Sequence, residues 1–152
     1  EENEPAAEWV ALDALTPLGM VLAVAFPLAN LASGNAFGME TALPWGIELW
    51  GATRHPVQMY ETLAATGILI LLWPGKGWLA RRVSNPGQSF LLFLALSAGA
   101  RLFLEAFRGN SVTLPNGWRV AQILAWLVLA ASLWGLGRNV PNNQPTNVLP
   151  EK

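Results

Sequence analysis

The fold is decided first by residues 14–33, ALTPLGMVLAVAFPLANLAS, which are twenty consecutive positions without an ionisable side chain. A helix of about 20 apolar residues is long enough to cross the roughly 30 Å hydrocarbon layer of a bilayer. Three further apolar stretches follow at residues 57–73, 88–107 and 119–136. The sequence therefore predicts an all-α, polytopic integral membrane bundle of about four transmembrane helices, with an interfacial loop after the first.

The composition of the chain supports a membrane protein. Of its 152 residues, 53% are hydrophobic and only 12% are charged, whereas globular chains carry about 25% charged residues. A soluble helical bundle is the alternative, but it requires amphipathic stripes rather than uniformly apolar helices. Eight tryptophans against a single tyrosine favour the membrane, because indole rings concentrate at its interfaces.

Several classes of function are excluded by what the sequence lacks. The net charge of −1 provides no basic field for a nucleic acid partner. The absence of cysteine excludes disulfides, thiolate zinc sites and a cysteine nucleophile. His55 is the single histidine, so a multi-histidine metal site cannot form within the chain. We expect no metal and no cofactor.

The sequence divides into an acidic segment at 1–13, a membrane domain at 14–137 and a polar tail at 138–152. The acidic segment lacks the basic start of a signal peptide, and the composition of the tail predicts disorder. Lysine and arginine mark cytoplasmic loops. More of them fall on the side of the 75–87 loop and the tail than on the other side, which predicts that both termini are cytoplasmic.

A cluster of polar side chains occurs where the second span begins, in RHPVQMYE at residues 54–61. His55 precedes the helix, and Pro56 suits a first helical turn, where no N–H is needed. Gln58 and Glu61 are three residues apart and therefore share a face. Each of these residues alone fits capping or interface anchoring, but together, in a chain so poor in polar groups, they favour a functional site.

The third span contains charges at helical spacing. Arg101 and Glu105 stand at i and i+4, and Arg108 continues the same stripe. Ionisable groups inside a membrane face the protein interior or an aqueous cavity. Such a pair can simply hold the bundle together. The functional alternative is that Arg101, oriented by Glu105, binds an anion, since a guanidinium matches phosphate bidentately; at this depth the anion is a phospholipid phosphate.

Three segments resemble the prolipoprotein diacylglyceryl transferases of bacterial inner membranes, in the order found in that family. The first, residues 28–38 followed by LPWG at 43–46, is similar to the family's Gly/Asn-rich signature loop. The second, RHPVQMYE at 54–61, is the most specific and is close to Arg-His-Pro-x-Gln-hydrophobic-Tyr-Glu. The third, RLFLEAFR at 101–108, resembles the family's Arg-x-x-x-Glu-x-x-Arg helix. The likeness covers residues 18–136.

The resemblance implies transfer of the diacylglyceryl group of phosphatidylglycerol to the cysteine thiol of a prolipoprotein lipobox peptide. A thioether forms and glycerol phosphate leaves, so the site must hold the phosphate, neutralise the leaving anion and help to deprotonate the thiol. The implied catalytic residues are Arg101, Glu105 and His55. The implied substrate-binding residues are Asn30, Gly38, Gln58, Tyr60, Glu61 and Arg108.

The chain also departs from the family's pattern. Family members are longer, and the part that precedes this likeness contains a His-Gly-Gly segment with the proposed base, for which His55 is the one candidate substitute here. An arginine, an acidic residue and a tyrosine of the family fall on Pro27, Asn35 and Ser97. Two interpretations follow: a divergent or fragmentary enzyme, or a non-catalytic relative that binds phospholipid or assists assembly. An unrelated small membrane protein is a third.

Overall fold

The computed structural model describes residues 7–138, and the expectations for residues 1–6 and 139–152 lie outside them. The described part contains four α-helices, one β-hairpin and two 3₁₀ turns. The helices are α1 (Ala7–Ser33), α2 (Val57–Leu72), α3 (Gln88–Leu104) and α4 (Val120–Arg138). The hairpin strands are β1 (Ile47–Leu49) and β2 (Ala52–Arg54), and the 3₁₀ turns are Ala80–Arg82 and Glu105–Phe107.

The predicted helical membrane bundle is confirmed. Three segments, Ala7–Ser33, Gln88–Phe107 and Val120–Arg138, are long and apolar enough to cross a membrane. The remaining helix, α2, has 16 residues and is about 24 Å long at 1.5 Å per residue. It is therefore shorter than the hydrocarbon layer. The first helix begins at Ala7, so part of the acidic segment is helical.

Loops join the helices at two ends of the bundle. At what we call the basic end, the first part of α1 contacts the start of α3, since the Asp13 carboxylate accepts hydrogen bonds from Gly87, just before α3, and from Phe90 in its first turn. At the opposite hairpin end, Gly38 forms an antiparallel bridge with Arg108. The basic end takes its name from four exposed cations, Lys76, Arg81, Arg82 and Arg138.

The core lies where α1, α2 and α3 meet. Met20, Ile68 and Leu72 form its buried centre, and Phe93 packs against them. Gly19 permits the close approach of α3, because a Cβ there would lie 3.2 Å from the Phe93 ring. Most of α1 and α4 stays outside this core: only 11% of the apolar window of each helix is buried inside the protein. Their exposed apolar faces suit a lipid environment.

The loop between α1 and α2, predicted to lie at the membrane interface, contains the β-hairpin. The sequence pattern did not predict this hairpin. Its two-residue turn, Trp50-Gly51, has φ angles of 57° and 74°, as a type I′ turn requires. Tryptophan is unusual at such a position; here its indole Nε1 donates a 3.0 Å hydrogen bond to the Gly34 carbonyl. Strands of only three residues show too little alternation of polar and apolar side chains, and a tryptophan in the turn is a weak turn signal. The hairpin could therefore not be predicted from the sequence.

A carboxylate from α1 caps the start of α3. Asp13 accepts hydrogen bonds from the backbone N–H groups of Gly87, at 2.6 Å, and Phe90, at 2.9 Å. These are unsatisfied donors at a helix N-terminus, where a negative charge also stabilises the helix dipole. The residues bonded to Asp13 are 74 and 77 positions away. One acidic side chain of α1 therefore fixes the position of the start of α3 along α1.

Replacing this cap should destabilise the bundle. We expect Asp13→Ala to lower the free energy of unfolding by about 1–2 kcal/mol, the usual value of a helix cap with its dipole contribution. The matched control is Glu8→Ala, which removes an exposed acid from the same helix. Thermal unfolding of both variants in the same detergent provides the measurement. Equal unfolding temperatures for the two would contradict the capping role.

Candidate functional site

One carboxylate oxygen at the hairpin end binds two arginines. Glu61 Oε1 accepts hydrogen bonds from Arg101 Nη1 at 2.7 Å and from Arg108 Nη1 at 2.6 Å. Glu61 lies just over one turn into α2, whereas Arg101 is in the last turn of α3 and Arg108 follows the 3₁₀ turn. The side chains of Glu61 and Arg108 are only 14% and 12% exposed. The contact therefore ties α2 to α3 through a largely desolvated ion pair.

Glu105 is the second carboxylate of the site and is 1% exposed. Its Oε2 lies 3.3 Å from Arg101 Nη2, at ion-pair distance but without hydrogen-bond geometry. Its Oε1 accepts a hydrogen bond from the Ser111 hydroxyl, and its backbone carbonyl accepts one from the Arg119 guanidinium. The expected pairing of Arg101 with Glu105 thus occurs, but the shorter contact of Arg101 is the one with Glu61.

The formal charges of this cluster sum to +1. Three guanidiniums (Arg101, Arg108 and Arg119) meet two carboxylates (Glu61 and Glu105). Arg119 is bonded to a neutral carbonyl rather than to a carboxylate. A guanidinium prefers planar anions such as carboxylate and phosphate. Electrostatically, the cluster is suited to one additional anionic group.

An apolar cavity adjoins the cluster between α1, α2 and α3. Its volume is ≈ 680 Å³, within the range of small-molecule sites. Glu61, Ser97 and Arg101 provide the polar side chains in its lining. The other lining residues are Gly19, Leu22, Ala23, Ala25, Phe26, Pro27, Ala29, Ala64, Ala65, Ile68, Phe93, Ala100 and Leu104. This composition suits an amphiphile with apolar chains and an anionic group.

Two positions where the sequence departs from the family's pattern lie in the wall of this cavity. Pro27 and Ser97 stand where the resemblance places an arginine and a tyrosine. Their small side chains leave space that longer ones would fill. Proline also lacks a backbone N–H, so the Ala23 carbonyl in the same wall loses its helical donor.

His55 and Tyr60 form a separate aromatic cluster at the hairpin end. The Tyr60 hydroxyl accepts a 2.9 Å hydrogen bond from Trp45 Nε1 and lies 3.4 Å from His55 Nδ1. Both rings also make edge contacts with Phe107. Neither His55 nor Tyr60 is among the residues that line the cavity. The structure thus separates two of the expected site residues from the arginine cluster's cavity.

The remaining expected residues hold the backbone of the 34–38 segment. Gln58 is fully buried, and its Nε2 donates a 2.7 Å hydrogen bond to the Asn35 carbonyl. The backbone carbonyl of Asn30 accepts a 2.9 Å hydrogen bond from Asn35 N–H. A Cβ on Gly38 would lie 2.7 Å from His55 Cβ and 2.8 Å from Val57 Cγ2. Gly38 therefore permits the 34–38 segment to lie close against the start of α2.

Sequence reasoning missed two residues that contact Glu105. Ser111 and Arg119 lie in the loop after α3 or at its end, and both reach back to Glu105. A serine in a loop has no periodicity that would select it, and Arg119 stands at the first position of the apolar stretch 119–136, where a charge is ordinary. The buried carboxylate of Glu105 was a signal that partners were required, but it does not identify them.

Comparison with known proteins identifies the family of this chain. The model of the prolipoprotein diacylglyceryl transferase family matches residues 5–137. The chain belongs to the prolipoprotein diacylglyceryl transferase family. Among the curated members it resembles, the protein of Thermosynechococcus vestitus is 28% identical over 150 residues, which cover 90% of this chain and 54% of that protein. The helical bundle of residues 7–138 is therefore the structure of a member of this family.

Two further relatives from other bacteria support the assignment. The protein of Clostridioides difficile is 34% identical over 109 residues, covering 71% of this chain and 42% of that protein. The protein of Tropheryma whipplei is 36% identical over 110 residues, covering 65% and 40% respectively. All three are named phosphatidylglycerol–prolipoprotein diacylglyceryl transferase. The chain spans about half the length of these relatives or less.

Substitution of Gly38 tests the close backbone approach that organises the site. We expect Gly38→Ala to lower the free energy of unfolding by about 1–3 kcal/mol, as overpacking does, because the new methyl group collides with His55 and Val57. Gly67→Ala is the control, since a Cβ there meets nothing within 4 Å; the added helix propensity should leave stability equal or higher. Thermal unfolding in detergent measures both. A Gly38→Ala variant as stable as Gly67→Ala would refute the packing argument.

Proposed function

We propose that this chain binds phosphatidylglycerol and takes part in transferring its diacylglyceryl group to a lipobox cysteine thiol. The observation that carries this proposal is the juxtaposition of Arg101 with the apolar cavity. Arg101 lines the cavity and is 37% exposed, the most accessible charge of the cluster formed with Glu61 and Arg108. The phosphate would pair with Arg101 and Arg108 while the acyl chains occupy the cavity.

The reaction is a nucleophilic displacement at carbon. The cysteine sulfur forms a bond to the terminal glycerol carbon of diacylglycerol, and the bond from that carbon to the phosphate oxygen breaks. Glycerol phosphate leaves with the electron pair, and the thiol proton passes to a base. Arginines that contact the phosphate stabilise the negative charge that develops on the leaving group. We assign this role to Arg101, held between Glu61 and Glu105, with Arg108 as the second contact.

We propose His55 as the proton acceptor of this chain. It is the single histidine of the sequence, and histidine is the side chain most often used for general base catalysis near neutral pH. The Tyr60 hydroxyl, which accepts from Trp45, is 3.4 Å from His55 Nδ1. If Nδ1–H donates to the Tyr60 oxygen, the neutral imidazole keeps its unprotonated nitrogen at Nε2, and this nitrogen can accept the thiol proton. Tyr60 would then orient the ring, and the thiol would reach His55 from the hairpin side.

We place the protein in the bacterial inner membrane, with the basic end and both termini in the cytoplasm. Lys76, Arg81, Arg82 and Arg138 are exposed at the basic end, and positive loops favour the cytoplasmic side. The hairpin end would then face outwards. The candidate site formed by Glu61 and Arg101 would lie on that outer side.

Replacement of Arg101 tests the phosphate-binding role. In membranes that contain the chain, a lipobox peptide and phosphatidylglycerol, we expect Arg101→Ala to reduce formation of the diacylglyceryl peptide by about 100-fold or more, as loss of a transition-state charge contact does. Phosphatidylglycerol that copurifies should fall in the same variant. Mass spectrometry measures both the product and the bound lipid. Undiminished product in Arg101→Ala would exclude the assigned role.

The control for this experiment is Arg82→Ala, which removes an arginine stacked on Trp78 at the basic end. Its product formation and bound lipid should match the wild type. In another outcome, bound phosphatidylglycerol depends on Arg101, but neither the wild type nor any variant forms product. That outcome would assign the chain to the alternative class of non-catalytic phospholipid-binding relatives. These outcomes separate the enzyme from the binding protein.

The proposed orientation is testable because the chain contains no cysteine. We expect Asn110→Cys, in an exposed loop at the hairpin end, to react with a membrane-impermeant maleimide in spheroplasts. Lys76→Cys, exposed at the basic end, should react only after the inner membrane is permeabilised. Gel-shift of the labelled protein gives the readout. The opposite pattern would reverse the orientation.

A further inference from the structure

The arginine cluster contains an anion of its own in the Glu61 carboxylate. A single oxygen, Oε1, accepts both the 2.7 Å bond from Arg101 and the 2.6 Å bond from Arg108. Planar guanidiniums hold phosphate oxygens with the same kind of charge-assisted hydrogen bonds. Glu61 thus makes the contacts that a bound phosphate oxygen would make.

The two carboxylates of the cluster differ in how firmly they are held. Glu105 is 1% exposed and is bonded to Ser111 and Arg119 through its side chain and backbone respectively. Glu61 lines the cavity, and both ion pairs that the structure records for it in residues 7–138 are with Arg101 and Arg108. An anion that arrives through the cavity therefore meets Glu61, and not Glu105, at the arginines.

Competition between the two anions follows from their charge and position. A headgroup phosphate at Arg101 and Arg108 would compete with Glu61 for their N–H donors, and two negative charges held side by side repel each other. When the phosphate binds, Glu61 has to withdraw or share its arginines. When the phosphate leaves, Glu61 reoccupies them, and Arg108, whose side chain is only 12% exposed, regains its counter-ion.

We infer that Glu61 is an internal counter-ion that anionic headgroups have to displace, so that it weakens phosphate binding and lowers the preference for anionic over zwitterionic lipids. This inference rests on the proposed phospholipid-binding function. The same competition would favour release of the glycerol phosphate product. Glu61 is in this sense a positioning residue that acts through the arginines.

The inference predicts a gain of affinity on neutralising Glu61. In uncharged detergent, the Kd of Glu61→Gln for a short-chain phosphatidylglycerol should be lower than the wild-type Kd by about tenfold, the factor that corresponds to one charge-assisted hydrogen bond. The Kd for phosphatidylcholine with the same chains should change much less. The matched control, Glu40→Gln, removes the charge of an exposed carboxylate paired with Arg54 at 3.2 Å and should leave both constants unchanged.

Soluble glycerol phosphate, titrated as a competitor, separates the two sources of phosphate. If Glu61→Gln lowers the Kd for glycerol phosphate as well as for the lipid, the competition takes place at the phosphate itself. If the variant lowers the Kd for the lipid alone, the competition requires that the acyl chains occupy the cavity. Unchanged or weakened phosphatidylglycerol binding by Glu61→Gln, with the unfolding temperature of the wild type, overturns the inference.

A second variant covers the case in which Glu61→Gln does not fold. Glu61→Asp keeps the charge but shortens the side chain, so its hold on the arginines weakens and phosphatidylglycerol binding should tighten by a smaller factor. No change in that constant overturns the inference. Arg101→Ala distinguishes the two proposals: if it binds phosphatidylglycerol like the wild type, the proposed function fails. If it loses the lipid while Glu61 variants bind unchanged, only the counter-ion inference fails.

Discussion

Two guanidiniums at the hairpin end of an apolar bundle depend on the carboxylate of Glu61 for compensation. Arg101 and Arg108 come from the end of α3 and the segment after it, whereas Glu61 comes from α2, 40 residues before Arg101. A buried charge without a partner is strongly destabilising, so these three side chains require α2 and α3 to stay together at this end. The cavity between α1, α2 and α3 is bounded by the same contact.

The rest of the bundle holds this cluster in place by contacts of a different kind. Asp13 fixes the start of α3 against α1 at the basic end. At the hairpin end, Gly38 lets the backbone of the 34–38 segment lie directly against His55 and Val57. Gln58 holds the same segment through the Asn35 carbonyl. Several residues expected from the family's pattern therefore shape the backbone around the site, while Arg101 and Glu61 face the cavity.

Sequence patterns predicted contacts that follow from the geometry of one helix. The pairing of Arg101 with Glu105 was predictable because residues at i and i+4 share a helical face. The cap that Asp13 supplies to α3 was not, because its partners are more than 70 positions away. The role of Gly38 was ambiguous for another reason: a glycine needed for the approach of a ligand and one needed for the approach of the chain look identical in a single sequence. Ser111 and Arg119 lacked any local signal.

Composition and local spacing were enough to predict that the chain forms apolar helices and that its few internal charges are concentrated near the start of the second span and in the third. The same local patterns contain the motifs that resemble those of the diacylglyceryl transferases. These properties depend on composition and on spacing along one helix, which are local. Helix packing, in contrast, brings Glu61 to both arginines and places Glu61, Ser97 and Arg101 in the lining of one cavity, which does not include His55. Those choices depend on how helices pack, and packing distances between distant residues are not encoded in any local pattern.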